Sequence, residues 1–404
     1  MKNDYHSSFR PLLNGLVIVL SSNNFLSLSL EQDDLVRIAI RFAGSDDFGG
    51  DDWEQPLKLL LEGYNGSAKL TELGRTIARR LVLGMLVNRL RTMRIFRESF
   101  DLPEVRKPVF ILGLPRTGST MLHELFGLHP ELQTPKLWQA DSLPNEDWTD
   151  YLRILKSFLR TKLVDVVSPG FKSIHRLGAL LPHECVTIQG LSFRSMQFHA
   201  IHRVDAYHDW LSTCDWRPAY QWHERYLRIL ARRGPNSRWL LKAPGHMLGI
   251  KSLCEQYPDA KFIQLHRHPG EVIPSMASLY ASLRSGSSNE LDLEQLGKSL
   301  VEEWRQGLNR VLELRRSNPN IEKNSLDVDY RALTANPLGS VEEICEFLEL
   351  SLNKDTRSKM SEYLRKNQKG KHGVHLYDLE TFGLSRERIN SIFLEYVNSH
   401  QLNN

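Results

Sequence analysis

Eight residues, Gly113-Leu114-Pro115-Arg116-Thr117-Gly118-Ser119-Thr120, combine small, hydroxylated and cationic types in one short turn. An apolar run, Val109-Phe110-Ile111-Leu112, precedes them, and Met121, Leu122, Leu125 and Phe126 follow at helical spacing. Strand, Gly-rich turn and helix in that order make a phosphate cradle. The amides of the turn and of the helix N-terminus converge on one point, and the helix dipole favours an anion there. The Gly-x4-Gly spacing is that of a P-loop, but Ser119 stands where an ATPase or GTPase carries its lysine, and Arg116 supplies the positive charge instead. The expected ligand bears a phosphate, and ordinary hydrolysis of a nucleoside triphosphate is disfavoured.

Two further segments end apolar runs in cations. Lys242 follows Trp239-Leu240-Leu241 and precedes Ala243-Pro244-Gly245-His246, so a strand end offers an ammonium to the same anion and the turn after it offers an imidazole. Arg267 follows Phe262-Ile263-Gln264-Leu265-His266, and Ser275 lies eight residues on, in a helix expected to start after Pro269. A guanidinium fork and a hydroxyl converging on one point suit a second phosphate. His266 and His268 flank Arg267, yet no third ligand lies at an obvious spacing, so no metal site is expected.

These residues need rigid elements to hold them. Short apolar segments at 109–112, 239–241, 262–265 and 326–329 alternate with helical patterns such as Leu293, Leu296, Leu300, Trp304, Leu308, Val311 and Leu312. The alternation predicts an α/β fold, a P-loop-type parallel sheet flanked by helices, with the charged residues at the carboxyl ends of the strands. Residues 1–105 read as a helical N-terminal region, with Leu35, Ile38 and Phe42 on one face, Leu57, Leu60 and Leu61 on another, and Leu81, Met85, Leu90 and Ile95 continuing the pattern. Pro103 and Pro108 mark the passage into a second region, 106–404, that carries the loop.

Taken together, Gly113–Thr120, Lys242, and the pair Arg267 and Ser275 resemble the sulfotransferases that use 3′-phosphoadenosine 5′-phosphosulfate (PAPS). The likeness is greatest to a bacterial branch with a Leu-Pro-Arg-Thr-Gly-Ser-Thr loop. It extends through Asp46-Asp47-Phe48-Gly49, His183-Glu184-Cys185, Asp329-Tyr330-Arg331 with Asn336-Pro337, and His372-Gly373-Val374-His375 with Phe382-Gly383-Leu384. The resemblance implies that Arg116, Thr117, Gly118, Ser119, Thr120 and Lys242 hold the 5′-phosphosulfate and that Arg267 and Ser275 hold the 3′-phosphate. It also implies that a basic loop from Arg365 to His372, including Lys369 and Gly370, closes over the nucleotide. PAPS is then the co-substrate, with no metal. Two separate anion sites match its two charged ends, and in-line transfer of a sulfuryl group follows the logic of phosphoryl transfer. Arg116 and Lys242 are the candidates to neutralise the leaving phosphate oxygen.

The general base is open among Glu184 with His183, in first place, and His246, in second. Many relatives carry a Glu beside the Trp that follows the loop, but here the segment reads Leu137-Trp138-Gln139-Ala140. The acceptor is a hydroxyl or amine of a small molecule, lipid or carbohydrate. The aromatics Phe193, Phe198, Tyr207, Trp210, Trp216, Tyr220 and Trp222 are either helix core or an apolar wall for it. A P-loop kinase or NTPase and an inactive nucleotide-binding scaffold are the competing readings. Ser119 and the lack of an apolar strand ending in Asp oppose the first, and the intact Arg116, Lys242, Arg267 and Ser275 oppose the second.

A formal net charge of +4 over 404 residues does not indicate a nucleic-acid partner. Four scattered cysteines, Cys185, Cys214, Cys254 and Cys345, form no Cys-x-x-Cys pair and suit a reducing, cytoplasmic setting. Leu16-Val17-Ile18-Val19-Leu20 is too short to span a bilayer, and no small-residue cleavage site follows it. A homodimer is left open.

Overall fold

The structure, a computed structural model, describes residues 10–22, 27–143, 149–167, 177–232, 237–367 and 379–402. Its centre is a five-stranded parallel sheet: β1 (Val109–Gly113), β2 (Leu132–Gln133), β3 (Arg238–Lys242), β4 (Lys261–His266) and β5 (Ser325–Asp329), in the order β2-β3-β1-β4-β5. β1 is the middle strand. Its Ile111 stands opposite Lys242 of β3 on one side and Ile263 of β4 on the other, and Gly113 stands opposite Leu265.

Alternate residues of β1 feed two cores, as the period of a strand requires. Phe110 and Leu112 face a large core shared with the N-terminal helices, while Val109 and Ile111 face a smaller one. The smaller core also takes Leu122, Leu125 and Phe126 from the helix after the loop and Val341, Ile344 and Leu348 from the helix Pro337–Leu348. With both faces covered, β1 is buried throughout and reads as an unbroken apolar run. β5 is the edge strand, so only Val328 is fully buried and the segment reads as half polar. β2 is two residues long and left no pattern in the sequence.

Three helices, Gln32–Ala43, Glu54–Asn65 and Glu72–Glu98, lead into the sheet region. The helical character expected of this segment is present, but the buried face of the first helix runs through Leu35, Ala39 and Ala43, and Phe42 points to solvent. Ala39 and Ala43 let the helix lie close on Glu72–Glu98, and the larger Phe42 falls outside the buried face. Arg89, fully buried, ties these helices to the rest: it donates to the carbonyls of Phe48 (2.8 Å) and Leu191 (2.9 Å) and pairs with Asp52 at 2.5 Å. Its guanidinium lies 4.0 Å from the ring centroid of Trp222. Gly49 has a φ of +70°, which favours glycine, and a Cβ there would also crowd the Met93 sulfur at 2.7 Å and the Trp222 ring at 3.1 Å. The large core runs on to Phe393, Tyr396 and Leu402 without a break.

Phe193, Phe198, Tyr207, Trp216, Tyr220 and Trp222 all lie within this core, with Trp210 packed against it. They are helix core, and the alternative reading of them as an acceptor wall is set aside. No helix among the described residues is long and apolar enough to cross a membrane.

Candidate active site

The loop leaves β1 at Gly113, whose φ is +129°. A Cβ there would lie 2.5 Å from the Leu265 carbonyl oxygen of β4, so the close passage of the two strands demands glycine. Arg116 (φ +67°) and Gly118 (φ +86°) complete a left-handed turn that the Thr117 hydroxyl closes by donating to the Leu114 carbonyl at 2.7 Å. The helix Ser119–Phe126 starts directly afterwards. Its first-turn amides have no partner within the helix and sit at the positive end of its dipole.

Two charged groups flank the loop, one from each strand beside β1. On the β3 side, Lys242 is almost fully buried, and its Nζ donates to the Thr120 hydroxyl at 3.3 Å and pairs with the Glu184 carboxylate. The backbone brings Glu184 there: the Cys185 amide donates to the Lys242 carbonyl at 2.9 Å, and the His183 amide to that of Pro135 at 2.8 Å. His183 is half-buried, with Nε2 2.8 Å from the Thr187 hydroxyl. Burial pulls its pKa down to about 4, against the nearby carboxylates of Asp141 and Glu184, so its ring is neutral at pH 7.

On the β4 side, Arg267 leaves the strand end and donates Nη1 to the carbonyl of Arg116 at 2.8 Å. It pairs with Glu271, one helical turn on, at 2.7 Å, and its guanidinium stacks 4.2 Å over the ring of Tyr330. Ser275, buried in the helix Pro269–Ser285, accepts from the Nε of Arg116 at 3.3 Å. Arg116 thus bridges from the loop to the Arg267–Ser275 group.

Of the residues singled out from sequence, Arg116, Thr117, Gly118, Ser119, Thr120, Glu184, His183, Lys242, Arg267 and Ser275 come together around the loop. His246 does not join them. It is fully buried, with Nδ1 3.1 Å from the Tyr220 hydroxyl and its ring edge-on to Phe110. Lys369 and Gly370 lie outside the described residues. Gln139 serves the backbone beside it, since its side-chain oxygen accepts from the amide of Lys136 at 2.9 Å and caps the short helix Leu137–Asp141.

A cavity of about 10 Å3, room for roughly one water, lies beside Lys242 and Glu184, under Thr120, His123 and the apolar Leu137 and Leu181. Two further contributors are not among the site residues that the sequence singles out, although Tyr330 lies in the Asp329-Tyr330-Arg331 segment that carries part of the resemblance. His123, on the loop helix, passes for a packing residue, since its Nε2 lies 3.3 Å from the Leu240 carbonyl and burial lowers its pKa to about 3. Tyr330 owes its place under Arg267 to Asp329, whose carboxylate accepts from the amides of Arg331 (2.7 Å) and Ala332 (3.1 Å) and so starts a helix there. Asp329 is thereby engaged as a helix cap, and β4, next to the loop strand, ends in His266. Neither strand end has the free Asp that would hold magnesium in a P-loop kinase.

The sequence profile of the sulfotransferase family matches residues 108–354. Sulfotransferase STF1 from Mycobacterium tuberculosis H37Rv is 31% identical, covers 90% of this chain and 98% of its own, and superposes with a TM-score of 0.78. STF9 from Mycobacterium avium, 24% identical with a TM-score of 0.80 over 92% of this chain and 97% of its own, shares the fold. Among curated sequences, the omega-hydroxy-beta-dihydromenaquinone-9 sulfotransferases Stf3 of Mycobacterium bovis and Mycobacterium tuberculosis are 28% identical over 185 residues. That stretch is 44% of this chain and spans 46% of the length of those relatives.

Proposed function

Because the chain belongs to the sulfotransferase family, we propose that it moves a sulfuryl group from PAPS to a hydroxyl on a mostly apolar small molecule or lipid. One observation carries this: the loop at the end of β1 has a cationic group on each side, one built on β3 and the other on β4. PAPS has two separated anionic ends, and the residues fit it. Arg116, the loop amides, Thr120 and Lys242 would hold the 5′-phosphosulfate, and Arg267 with Ser275 the 3′-phosphate. The burial of Lys242 and Ser275 strengthens any hydrogen bond that either makes to an anion.

PAPS supplies the sulfuryl group, and the chain's residues do the rest. Lys242 would offer its ammonium to the phosphate oxygen left negative when the S–O bond of the donor breaks. Glu184, paired with the same ammonium, takes the acceptor hydroxyl proton as the new O–S bond forms. Half-buried His183 lines the same cavity and orients the acceptor. The apolar character of that acceptor rests on the Stf3 relatives, whose name specifies a hydroxylated menaquinone; Leu137 and Leu181 add apolar side chains to a cavity that Thr120, His183, Glu184 and Lys242 also line.

Calorimetric titration with 3′,5′-ADP, alongside ATP with magnesium, tests the donor. Binding of 3′,5′-ADP without metal and weak binding of ATP are expected, and transfer from PAPS should survive EDTA. Preference for magnesium–ATP would move the chain to the kinase class.

A further inference from the structure

The helix Asp150–Val167 is inside out. Its buried stripe is polar: Arg153, Ser157 and Thr161, four residues apart, face the protein. Arg153 pairs with Asp150 at 2.6 Å and stacks 4.6 Å over the Trp138 ring, and the Ser157 hydroxyl donates to Asp141 at 2.9 Å. The outward stripe is apolar. Leu152, Leu155, Phe158, Leu159, Leu163 and Val166 share one face at helical spacing, each between 40% and 59% exposed. A helix on a soluble core ordinarily does the reverse, and a contiguous exposed apolar face of this kind marks an interaction surface.

Charge narrows the choice of partner. Lys156 and Arg160 border one edge of the stripe, and Lys162 lies within it, its Nζ 5.4 Å from the Phe158 ring centroid. Burial lowers the Lys156 pKa, and Arg91, Arg160 and Arg80 add to the effect, so cations from the helix Glu72–Glu98 reach the same face. The opposing charges are Asp141, paired with Arg160 at 2.6 Å, and Asp150 and Asp165 on the helix itself, so basic groups outnumber acidic ones along the stripe. An apolar stripe edged by basic side chains is what an amphipathic helix needs to lie in the surface of a bilayer, with the lysine stems reaching up to headgroups. The helix also rests on the wall of the candidate site. Its polar contacts go to Trp138 and Asp141 of Leu137–Asp141, whose first residue lines the cavity beside Lys242 and Glu184.

We propose that the helix Asp150–Val167 docks its outward Leu/Phe stripe in the surface of an anionic bilayer, with Lys156, Arg160 and Lys162 at the headgroups. This sets the sulfuryl-transfer crevice beside the lipid phase that holds an apolar acceptor. Only that last consequence rests on the function proposed above; the docking rests on the helix itself.

Flotation of the full chain with vesicles tests it, using phosphatidylcholine alone and an equimolar mixture with phosphatidylglycerol. The protein should float with the mixed vesicles and scarcely with the neutral ones. L155Q/L159Q/L163Q and K156E/K162E should each lower partitioning by about tenfold or more. Both variants should keep wild-type circular dichroism and 3′,5′-ADP binding, because none of these side chains touches the loop. Absence of flotation by the wild type, or equal flotation of the variants, overturns the proposal. So does a concentration-dependent dimer that the leucine substitutions dissolve without any vesicle binding, which would give the face to a second copy. Loss of 3′,5′-ADP binding by the wild type would strike at the donor reading and leave the docking result standing.

Discussion

Lys242 carries the most weight of any single side chain, and its two partners define what removing it does. The ammonium holds Glu184 and touches Thr120 while itself almost fully buried. Lys242→Ala should lower kcat by about 10²–10³, the usual effect of deleting one donor aimed at developing charge, and change 3′,5′-ADP affinity far less. A variant with normal turnover would remove Lys242 from the chemistry. Arg267 makes the complementary prediction. Arg267→Ala should weaken 3′,5′-ADP by roughly 1.5–3 kcal/mol, a factor of about ten to a hundred, and 5′-AMP hardly at all. Equal losses for the two nucleotides would place the 3′-phosphate elsewhere. The pH profile separates the candidate bases. With its pKa held at about 4, His183 stays neutral as pH falls from 8 to 5 and charges only below that. kcat/KM should therefore show no acidic limb near 6.5. A limb at that pH, absent from His183→Asn, would make an unshifted imidazole the base.

At the scale of elements, most of what the sequence announces is the buried, central part of the sheet. β1, β3 and β4 are covered on both faces, so their apolar runs are visible, and the loop, Lys242 and Arg267 follow directly from where those runs stop. β2 is too short to leave a period, and β5, an edge strand, mixes polar and apolar residues. Pairings across the chain are equally invisible: nothing near residue 184 tells that the Cys185 amide bonds to the carbonyl of Lys242. His246 shows the converse, since a histidine directly after a Pro-Gly turn reads as exposed until Tyr220 and Phe110 enclose it. Arg89 is likewise hidden among the many arginines of its helix. Its burial among Asp52, two carbonyls and Trp222 predicts that Arg89→Met costs about 3 kcal/mol or more, because the partners lose their compensation. A shift in the urea midpoint measures it; an unchanged midpoint would mean the helices are held by apolar packing alone.

Across the whole molecule, burial of histidines sets the acid limit of stability. His123, His202 and His223 are each pulled down to about 3, and His246 falls well below its ordinary value, all mainly by desolvation. Unfolded, these rings protonate near 6.5; folded, His123, His202 and His223 stay neutral until about pH 3, and His246 resists protonation in the same sense. The unfolded chain therefore takes up protons first, and stability falls as pH drops below about 6.5, by at most about 1.4 kcal/mol per pH unit for each ring. His208, raised by Glu303, acts in the opposite sense but is outnumbered. The melting temperature should fall steadily from pH 7 to 5; a flat profile would contradict the assignment.

The order β2-β3-β1-β4-β5 also governs the moment at which a donor site can exist during synthesis. The loop leaves the ribosome first, at residue 113, but its flanking strand partners come from residues 238–242 and 261–266, and Ser275 comes later still. For more than a hundred residues of elongation, β1 is an apolar strand with neither neighbour made. A nascent chain in that interval has a long-range contact to wait for, and its exposed edges are the natural client of a chaperone. If Ser275 holds the donor as proposed, nucleotide capture begins only once the helix Pro269–Ser285 has emerged, so binding of 3′,5′-ADP by arrested chains of graded length would report when β1 has gained both its neighbours.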